Sequence, residues 1–444
     1  MKIRSIFVFI AAFSALALGL AACGGGDDNG GGGGGGSSSG AVGQSGPIKC
    51  GDGTGEKATG TPIKLGGIAT KQPGTDFTDG LNAANAYFKC VNDNGGINGH
   101  PIKYYAETEQ TDPAQDASLA RKLVETDKVI GMTGGFSLIE CSVNHGYYEQ
   151  KGYYVLNAGI APECWSTPNS APVNMGPRYS SDGATQYVIG QKVDKIVFIQ
   201  SNVPGTGYIA EGPKLVADDA GIPITEETEN VPIQDANSVA LKITQEAGSN
   251  GAVVLNFTPP EALKILQAAE QQGLADQVKA WGCSTPCNTD FLAQALGSSW
   301  DGKLGVNAEL NVTDFDGPDS ELYRQVMDKY GQNVTGGLGS FSQMGYLMGR
   351  ISVQALLDIK GDQYTAKTYN DAVRNIKDFK TDILCNPWYY GKAPLHIPNN
   401  VDRTTTPQSG KMVEKEGCFK ISDVDPDIAK VRKIEAADPS LIGK

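Results

Sequence analysis

A few residues of this sequence come close to the spacings that support covalent chemistry. Gly135-Phe136-Ser137-Leu138 approaches the Gly-x-Ser-x-Gly turn that exposes a nucleophilic serine, but Ile139 stands where the last glycine is required. The three histidines are scattered, so a serine or cysteine triad has no evident base. Gly205-Thr-Gly207 lacks the third glycine of a dinucleotide fingerprint, and no phosphate-binding loop with its lysine occurs. We therefore predict no catalytic residue and no cofactor.

Cys283 and Cys287 enclose three residues and raise the question of a redox pair or a zinc site. The spacing is not the Cys-x-x-Cys of thiol oxidoreductases. No histidine or further cysteine follows at the spacing of a zinc ligand set. We therefore predict no metal site and expect a disulfide in its place.

The amino-terminal residues have the layout of a secretory signal, with two positive charges in Met1–Arg4 and none in Ser5–Leu20. The uncharged run would span about 24 Å as a helix, less than the roughly 30 Å hydrocarbon core of a bilayer. Leu20-Ala-Ala-Cys23 is similar to the lipobox of bacterial lipoproteins, in which the cysteine carries the lipid. We expect 1–22 to be a signal peptide and Cys23 to anchor the chain at the extracytoplasmic face of the cell membrane. A plain cleavable signal with an incidental cysteine is the alternative.

Residues 23–60 are expected to be the lipidated cysteine, a tether and an extended start. The tether includes seven consecutive glycines, Gly30–Gly36, followed by three consecutive serines, so it cannot bury a core and should behave as a flexible linker.

The other eight cysteines predict disulfides, because they are even in number in a chain with an export signal. They allow on the order of a hundred pairings, among which the sequence cannot choose. Our expectation is that neighbours pair in order. The expected pairs are Cys50 with Cys90, Cys141 with Cys164, Cys283 with Cys287, and Cys385 with Cys418.

The elements that must position any site alternate along the chain. Short apolar runs such as Ile63–Ala69 alternate with segments of helical spacing such as Phe77–Val91, and Asp112-Pro113 is typical of a helix start. The alternation continues to Gly282 and predicts α/β architecture with parallel sheets covered by helices on both faces. Its length favours two doubly wound lobes, in which ligands lie beyond the carboxyl ends of the strands. A net charge of −13 argues against nucleic acid as a partner.

Four motifs in order resemble the leucine/isoleucine/valine-binding protein family, the extracytoplasmic solute-binding proteins of ABC importers. They are Ile63-Lys-Leu-Gly-Gly-Ile68, Asn94-Gly-Gly-Ile-Asn-Gly-His-Pro-Ile102, Thr111-Asp-Pro-Ala-Gln115 and Ala120-Arg-Lys-Leu-Val124. The resemblance runs from about Thr61 to Tyr346 and implies a type I periplasmic binding fold, with two lobes joined by a hinge of three crossovers. From it we expect an N-terminal lobe of 61–179 and 313–360, and a C-terminal lobe of 180–312 and 361–444.

The resemblance also implies ligand positions, one residue at a time. The family often has an aromatic residue in its first loop, a hydroxyl and amides after its third strand, and a small segment after its fourth. Its second lobe contributes a tyrosine, a further aromatic near Phe257 and an acidic residue that holds an α-ammonium. The matching positions here are Asp76, Phe77, Phe136, Ser137, Ala158, Gly159, Thr206, Tyr208, Thr258 and Ser284.

Two of these positions depart from the family pattern. Ile160 stands where the family has a threonine, and Ser284 stands at the acidic position. A buried ammonium without a carboxylate is costly, so a zwitterionic amino acid would need Asp76 or Glu140 as a substitute. A neutral or carboxylate-bearing ligand, held by Ser137 and the amides of Ala158 and Gly159, fits better. The alternative role for Ser137 is to cap the helix that starts at Glu140.

The implied function is capture of a small organic solute, an amino acid or a related molecule, and delivery to an ABC permease by a monomeric protein without enzymatic activity. One alternative is a ligand-sensing lipoprotein that signals to a membrane receptor. Another is an exported hydrolase or thiol oxidoreductase, which would need a nucleophile in the cleft.

Overall fold

Two β-sheets organise residues 49–444, the part of the chain that the structure, a computed structural model, describes. The predicted signal peptide, Cys23 and the glycine-rich tether lie outside the described residues. Within 49–444, no helix combines the length and the apolar character needed to cross a membrane.

The first sheet is built from the alternating strands and helices of 63–172. In chain order these elements are β1 (Ile63–Gln72), β2 (Thr75–Asp76), α1 (Thr78–Asp93), β3 (Ile102–Glu109), α2 (Pro113–Arg121), β4 (Gly131–Phe136), α3 (Glu140–Lys151), β5 (Val155–Asn157), α4 (Glu163–Ser166) and β6 (Ser170–Pro172). Strands β3, β1, β4, β5 and β6 are parallel neighbours in that order, and β2 folds back antiparallel on the end of β1.

The second sheet begins after a crossover and repeats the alternation. Its elements are α5 (Pro177–Gly190), β7 (Ile196–Ser201), α6 (Glu211–Asp219), β8 (Ile224–Glu229), α7 (Ala236–Ala247), β9 (Ala252–Asn256), α8 (Pro259–Gln271), β10 (Ala280–Cys283), α9 (Asp290–Ala295) and β11 (Leu304–Ala308). Strands β8, β7, β9, β10 and β11 are parallel in that order. The two parallel sheets confirm the predicted fold class.

The chain then returns to both sheets. The remaining elements are α10 (Pro318–Tyr330), α11 (Ser340–Leu357), α12 (Ala366–Arg374), β12 (Val401–Gln408), β13 (Lys411–Lys420) and α13 (Pro426–Ala437). Helices α10 and α11 pack on α1, whereas β12 and β13 extend the second sheet beyond β11 as an antiparallel hairpin. We call each sheet with the helices packed on it a lobe, first and second in chain order.

Helix α12 lies on the first lobe, although we expected 361–444 to belong to the second. The Tyr369 hydroxyl is 3.0 Å from the Thr133 hydroxyl on β4, and the Asn370 side chain donates to the Ile130 carbonyl at 2.8 Å. The contact depends on Gly131, because a Cβ there would lie 1.9 Å from Cε1 of Tyr369. Because Gly131 has no side chain, the ring of Tyr369 can pack against β4 at this position.

Buried aromatic side chains fill both cores. In the first lobe the rings of Tyr87 and Tyr346 meet edge to face at 5.2 Å, and in the second Trp281 and Trp300 do the same at 5.2 Å. Trp281 donates its indole N–H to the Ala275 carbonyl at 3.0 Å, which satisfies the one polar group of a buried ring. Trp281 is therefore a core residue of the second lobe.

The helix start at Asp112-Pro113 and the pairing of neighbouring cysteines are found as the sequence predicts. The Asp112 carboxylate accepts hydrogen bonds from the amides of Ala114 and Gln115 at 2.8 and 3.2 Å, and Pro113 opens α2. The structure contains the four disulfides of sequential pairing, Cys50–Cys90, Cys141–Cys164, Cys283–Cys287 and Cys385–Cys418.

Candidate ligand-binding site

Three cavities lie between the lobes, at the carboxyl ends of parallel strands from both sheets. The outer cavity, of about 290 Å³, is lined by Asp76 and Asp79 from the first lobe and by Phe291 from the second. The middle and inner cavities measure about 60 Å³ each. Pro286 borders all three, so the cavities adjoin one another.

Apolar side chains make most of the walls of the middle and inner cavities. Those of the middle cavity are Phe77, Leu138, Ile160, Pro177, Val203, Ile209, Phe257 and Pro286. The inner cavity shares four of these and adds Ala158, Phe341 and Met344. Both lobes contribute, so a molecule held here would touch both.

Five of the predicted ligand positions line a cavity. Asp76 borders the outer cavity, and Thr206 and Thr258 border the middle one. Ala158 borders the inner cavity, and Phe77 lies between the middle and inner cavities. The Phe77 ring tilts against Phe341 at 5.3 Å, and its backbone amide donates to the Thr70 carbonyl at 3.0 Å. The ring is thus held at the start of α1 on the cavity side.

The other five predicted positions do not line a cavity. Phe136 is fully buried in the first lobe beneath Gly80, where a Cβ would lie 2.3 Å from Cζ of its ring. The Ser284 hydroxyl donates to Oδ1 of Asn256 at 2.7 Å, and the Gly159 amide donates to Oδ1 of Asn157 at 2.7 Å. The Tyr208 hydroxyl donates to the Ile160 carbonyl across the gap between the lobes.

Ser137, the fifth of these positions, serves the first lobe itself. Its hydroxyl donates to Oε1 of Glu109 at 2.9 Å and accepts from the amides of Ile139 and Glu140 at 3.0 Å each. The Ala158 amide likewise donates to the Gly135 carbonyl at 2.9 Å. The donors that we expected to hold a ligand carboxylate are therefore occupied within the lobe. The Ser137 hydroxyl also satisfies two backbone amides at the start of α3, although the N-cap residue of that helix is Ile139.

Sequence reasoning missed several residues at the site. Phe341 and Met344 come from α11, near the end of the family resemblance, where no ligand position was carried over. Glu309 lines the inner cavity directly after β11 and is 1% exposed. The signal for Glu309 was available, because it follows a short apolar run at the carboxyl end of a strand.

Glu309 accepts only neutral donors among the hydrogen bonds that the structure describes. Its Oε1 accepts from the Met175 amide and its Oε2 from the Asn174 side chain, both at 3.0 Å. Burial raises the pKa of the Glu309 carboxyl to about 8, although these hydrogen bonds lower it. Burial therefore favours the neutral form of this carboxyl more than solvent would.

Neither of the two carboxyls that could have replaced the missing acidic residue, Asp76 and Glu140, lines the middle or the inner cavity. Burial raises the pKa of Glu140 well above its usual range, with the charge of Asp116 adding to the effect, and Oε1 accepts from the Tyr148 hydroxyl at 2.9 Å. Burial also raises the pKa of Asp76, but hydrogen bonds from Lys71 and Thr78 outweigh it and bring that pKa below its ordinary value. The Asp76 carboxylate is paired with Lys71 at 2.8 Å.

Basic side chains are missing from the cavity walls as well. No lysine, arginine or histidine of residues 49–444 lines the outer, middle or inner cavity. In the same described range, no group of three or more His, Cys, Asp or Glu side chains is placed to hold a metal ion. The arrangement can therefore enclose a small, mainly apolar molecule, and it offers neutral hydrogen-bonding groups such as Asn256 and Thr206.

Comparison with protein families gives a match over most of the described chain. A family model described as "Periplasmic binding protein" matches residues 62–400. An "Amino acid binding protein" of Pseudomonas aeruginosa is 25% identical over 218 residues, which cover 47% of this chain and 57% of that protein. The chain thus matches a little over half the length of this relative.

Solved structures share the fold. A branched-chain amino acid ABC transporter protein from Thermus thermophilus with bound valine has a TM-score of 0.72 and 17% identity, covering 84% of this chain and 99% of its own. A fatty acid ABC transporter substrate-binding protein from Thermomonospora curvata has a TM-score of 0.69 and 18% identity, covering 84% of this chain and 95% of its own. These likenesses confirm the predicted resemblance and establish the architecture of two lobes around a cleft.

Proposed function

Because this chain belongs to the periplasmic binding protein family, we propose that it is an extracytoplasmic solute-binding lipoprotein that delivers a small organic solute to an ABC permease. The observation that carries the proposal is the series of cavities lined by both lobes at the ends of their parallel strands. Strand ends at such an edge are where open α/β sheets bind ligands.

The mechanism is closure of the lobes around the solute, without covalent chemistry. Phe77 and Ile160 come from the first lobe, and Ile209 and Phe257 come from the second. A solute that touches both pairs binds the closed form more tightly than the open form and shifts the population towards it. A micromolar affinity, about −8 kcal/mol, is sufficient to drive that shift.

The Cys283–Cys287 disulfide does not offer a competing activity. Both cysteines are fully buried and bonded to each other, and neither lines a cavity. A thiol oxidoreductase needs an accessible, reactive thiolate. This supports the proposal that the protein binds its solute and releases it unchanged.

Native mass spectrometry of the purified chain tests solute capture. We expect a retained small molecule, or one found by a thermal-shift screen, to raise the melting temperature and to leave the protein chemically unchanged. Deleting the gene should reduce uptake of that molecule by the host cells. Turnover of the molecule into a product, or a full screen without any stabilising compound, would contradict solute capture.

The anchor is tested separately by labelling host cells with radioactive palmitate. The wild type should carry the label, and Cys23→Ala should lose it because the proposed lipid is attached at that thiol. Ser38→Ala, a change in the same tether, should keep the label. Equal labelling of Cys23→Ala would show that the chain is not lipidated at this residue.

A further inference from the structure

The walls of the middle and inner cavities limit the charge that a solute can carry. We infer that the natural solute is uncharged and mainly apolar, a compact aliphatic or aromatic body with at most a hydroxyl or amide group. The inference rests on the proposed function, since it assumes that the solute is enclosed between the lobes.

An anionic solute would find no cation in the cleft. The described residues that line the three cavities include no lysine, arginine or histidine, while Asp76 and Asp79 add acidic groups to the outer cavity. The hydroxyl of Ser137 and the amides of Ala158 and Gly159 are engaged within the first lobe. An enclosed carboxylate would therefore lose its hydration without gaining a cationic partner.

The charge of a cationic or zwitterionic solute would also be poorly stabilised in the middle and inner cavities. Glu309 is the one acidic residue of the described chain that lines either of them. Its two oxygens are held by Asn174 and Met175 on the hinge side, at 3.0 Å each, and burial favours its neutral form. An ammonium group would have to ionise Glu309 and compete with these donors.

Neutral polar groups do line the middle cavity. Asn256 and Thr258 belong to it, and Asn256 already accepts a hydrogen bond from Ser284 through Oδ1 at 2.7 Å. A hydroxyl or amide on the solute can bond to such groups without bringing a charge into the cleft. The rest of the wall is apolar, from Phe77 and Leu138 to Phe257.

The test is a series of probes that share one body and differ in charge. The aliphatic series is 3-methylbutanol, 3-methylbutanoate, 3-methylbutylamine and leucine, and the aromatic series is benzyl alcohol, benzoate, benzylamine and phenylalanine. Binding to the full chain is measured by calorimetry at pH 7. In at least one series, we expect the neutral member to bind at least tenfold more tightly than each charged member.

A variant that adds a charge gives a second readout. Ile160→Asp places a carboxyl group at the wall shared by the middle and inner cavities, and the Tyr208 bond persists because it uses the backbone carbonyl of residue 160. We expect the variant to lose at least tenfold in affinity for the neutral probe and to gain affinity for the amine. Leu241→Asp, at a side chain that is 39% exposed on α7, should change neither.

Three outcomes would overturn the inference. They are a charged member that binds as tightly as the neutral one, a retained natural solute that is ionised at pH 7, and a failure of both neutral probes to bind. In the first two cases the lobes still capture a solute, so the proposed function stands while this inference falls. Loss of the proposed function instead requires that no compound at all stabilises the protein, or that the bound molecule is turned into a product.

Discussion

The two lobes touch at the hinge and at the rim of the cleft, and the two contacts differ in kind. At the hinge, the buried Glu309 accepts from Asn174 and Met175, which follow β6 of the first lobe. At the rim, the Thr258 hydroxyl donates to the Gly74 carbonyl at 3.3 Å, and Tyr208 donates to the Ile160 carbonyl. The hinge contact is buried beside the inner cavity, whereas the rim contacts span the gap that must open to admit a solute.

The two kinds of contact should contribute to different properties, the hinge contact to the stability of the fold and the rim contacts to the affinity for the solute. Buried hydrogen bonds near the crossovers persist whether the cleft is open or closed, so breaking them acts on folding. Rim contacts form only when the lobes meet, so breaking them acts on the equilibrium between the open and closed forms. Substitutions at the two places should therefore move different observables.

The largest expected effect is at the hinge. Glu309→Ala leaves the Asn174 side chain and the Met175 amide without their acceptor in a buried site. We expect the free energy of unfolding to fall by about 3 kcal/mol, since each unsatisfied buried group costs about 1–3 kcal/mol. Urea unfolding measures the change. A loss below about 0.5 kcal/mol would show that the hinge does not depend on this carboxyl group.

Glu309→Gln tests how the stability contributed by the Glu309 carboxyl depends on pH. The pKa of Glu309 is raised from its ordinary value of 4.5 to about 8 in the folded chain, so the folded state binds more protons than the unfolded state between those values. Stability from this group is fully present below about pH 4.5 and is lost as the pH rises to about 8.

Glutamine resembles the protonated acid and does not titrate. The stability of the wild type relative to Glu309→Gln should therefore decrease steadily from pH 5 to pH 8 and then level off. Urea unfolding of both proteins at four or five pH values measures this difference. A difference that is independent of pH would show that Glu309 is ionised in the folded protein.

Local sequence signals predicted most of the parallel framework. Strand β1 begins at Ile63, the first residue of the predicted run Ile63–Ala69, and Asp112 caps α2 as expected. Both features depend on residues that are adjacent in the chain, where turn chemistry and apolar runs carry the information. Helix α12 differs, because its position on the first lobe is decided by Gly131, more than two hundred residues away.

The site was harder to predict than the fold for the same reason. Whether a loop residue faces the cleft or its own lobe depends on distant partners. The Phe136 ring packs inside the first lobe because Gly80 leaves room for it. The Ser137 hydroxyl donates a hydrogen bond to Glu109 in the same lobe. Family positions gave the correct loops, whereas the direction of each side chain required the packing of the lobe.

The next expected effect is at the rim, at Gly74. This glycine has φ of +78°, and a Cβ there would lie 2.8 Å from Cβ of Val231 in the second lobe. We expect Gly74→Ala to hold the lobes apart and to weaken binding of the retained solute about tenfold, which is about 1.4 kcal/mol. Calorimetric titration with that solute measures the loss.

Gly55→Ala is the matched control for this change. Gly55 has a similar φ of +75°, and a Cβ there would meet nothing within 4 Å. It therefore carries the same backbone strain without a contact between the lobes. Equal losses of affinity in the two variants would attribute the effect to the strained backbone and remove Gly74 from the closing contact.

The smallest expected effect comes from a single hydrogen bond across the rim. Tyr208→Phe removes the hydroxyl that donates to the Ile160 carbonyl and keeps the ring, which packs 5.8 Å from Trp165 of the first lobe. A hydrogen bond of this kind is worth about 1 kcal/mol, so the dissociation constant should rise about fivefold with little change in the free energy of unfolding.

Tyr153→Phe provides the opposite case, because the Tyr153 hydroxyl donates at 2.6 Å to the Val129 carbonyl within the first lobe. That variant should lose about 1 kcal/mol of stability and keep its affinity, since its bond is present in the open and closed forms alike. If Tyr208→Phe instead lowers stability and leaves affinity unchanged, the rim bond belongs to the folded framework. The contrast between rim and hinge would then rest on Gly74 and Thr258 alone.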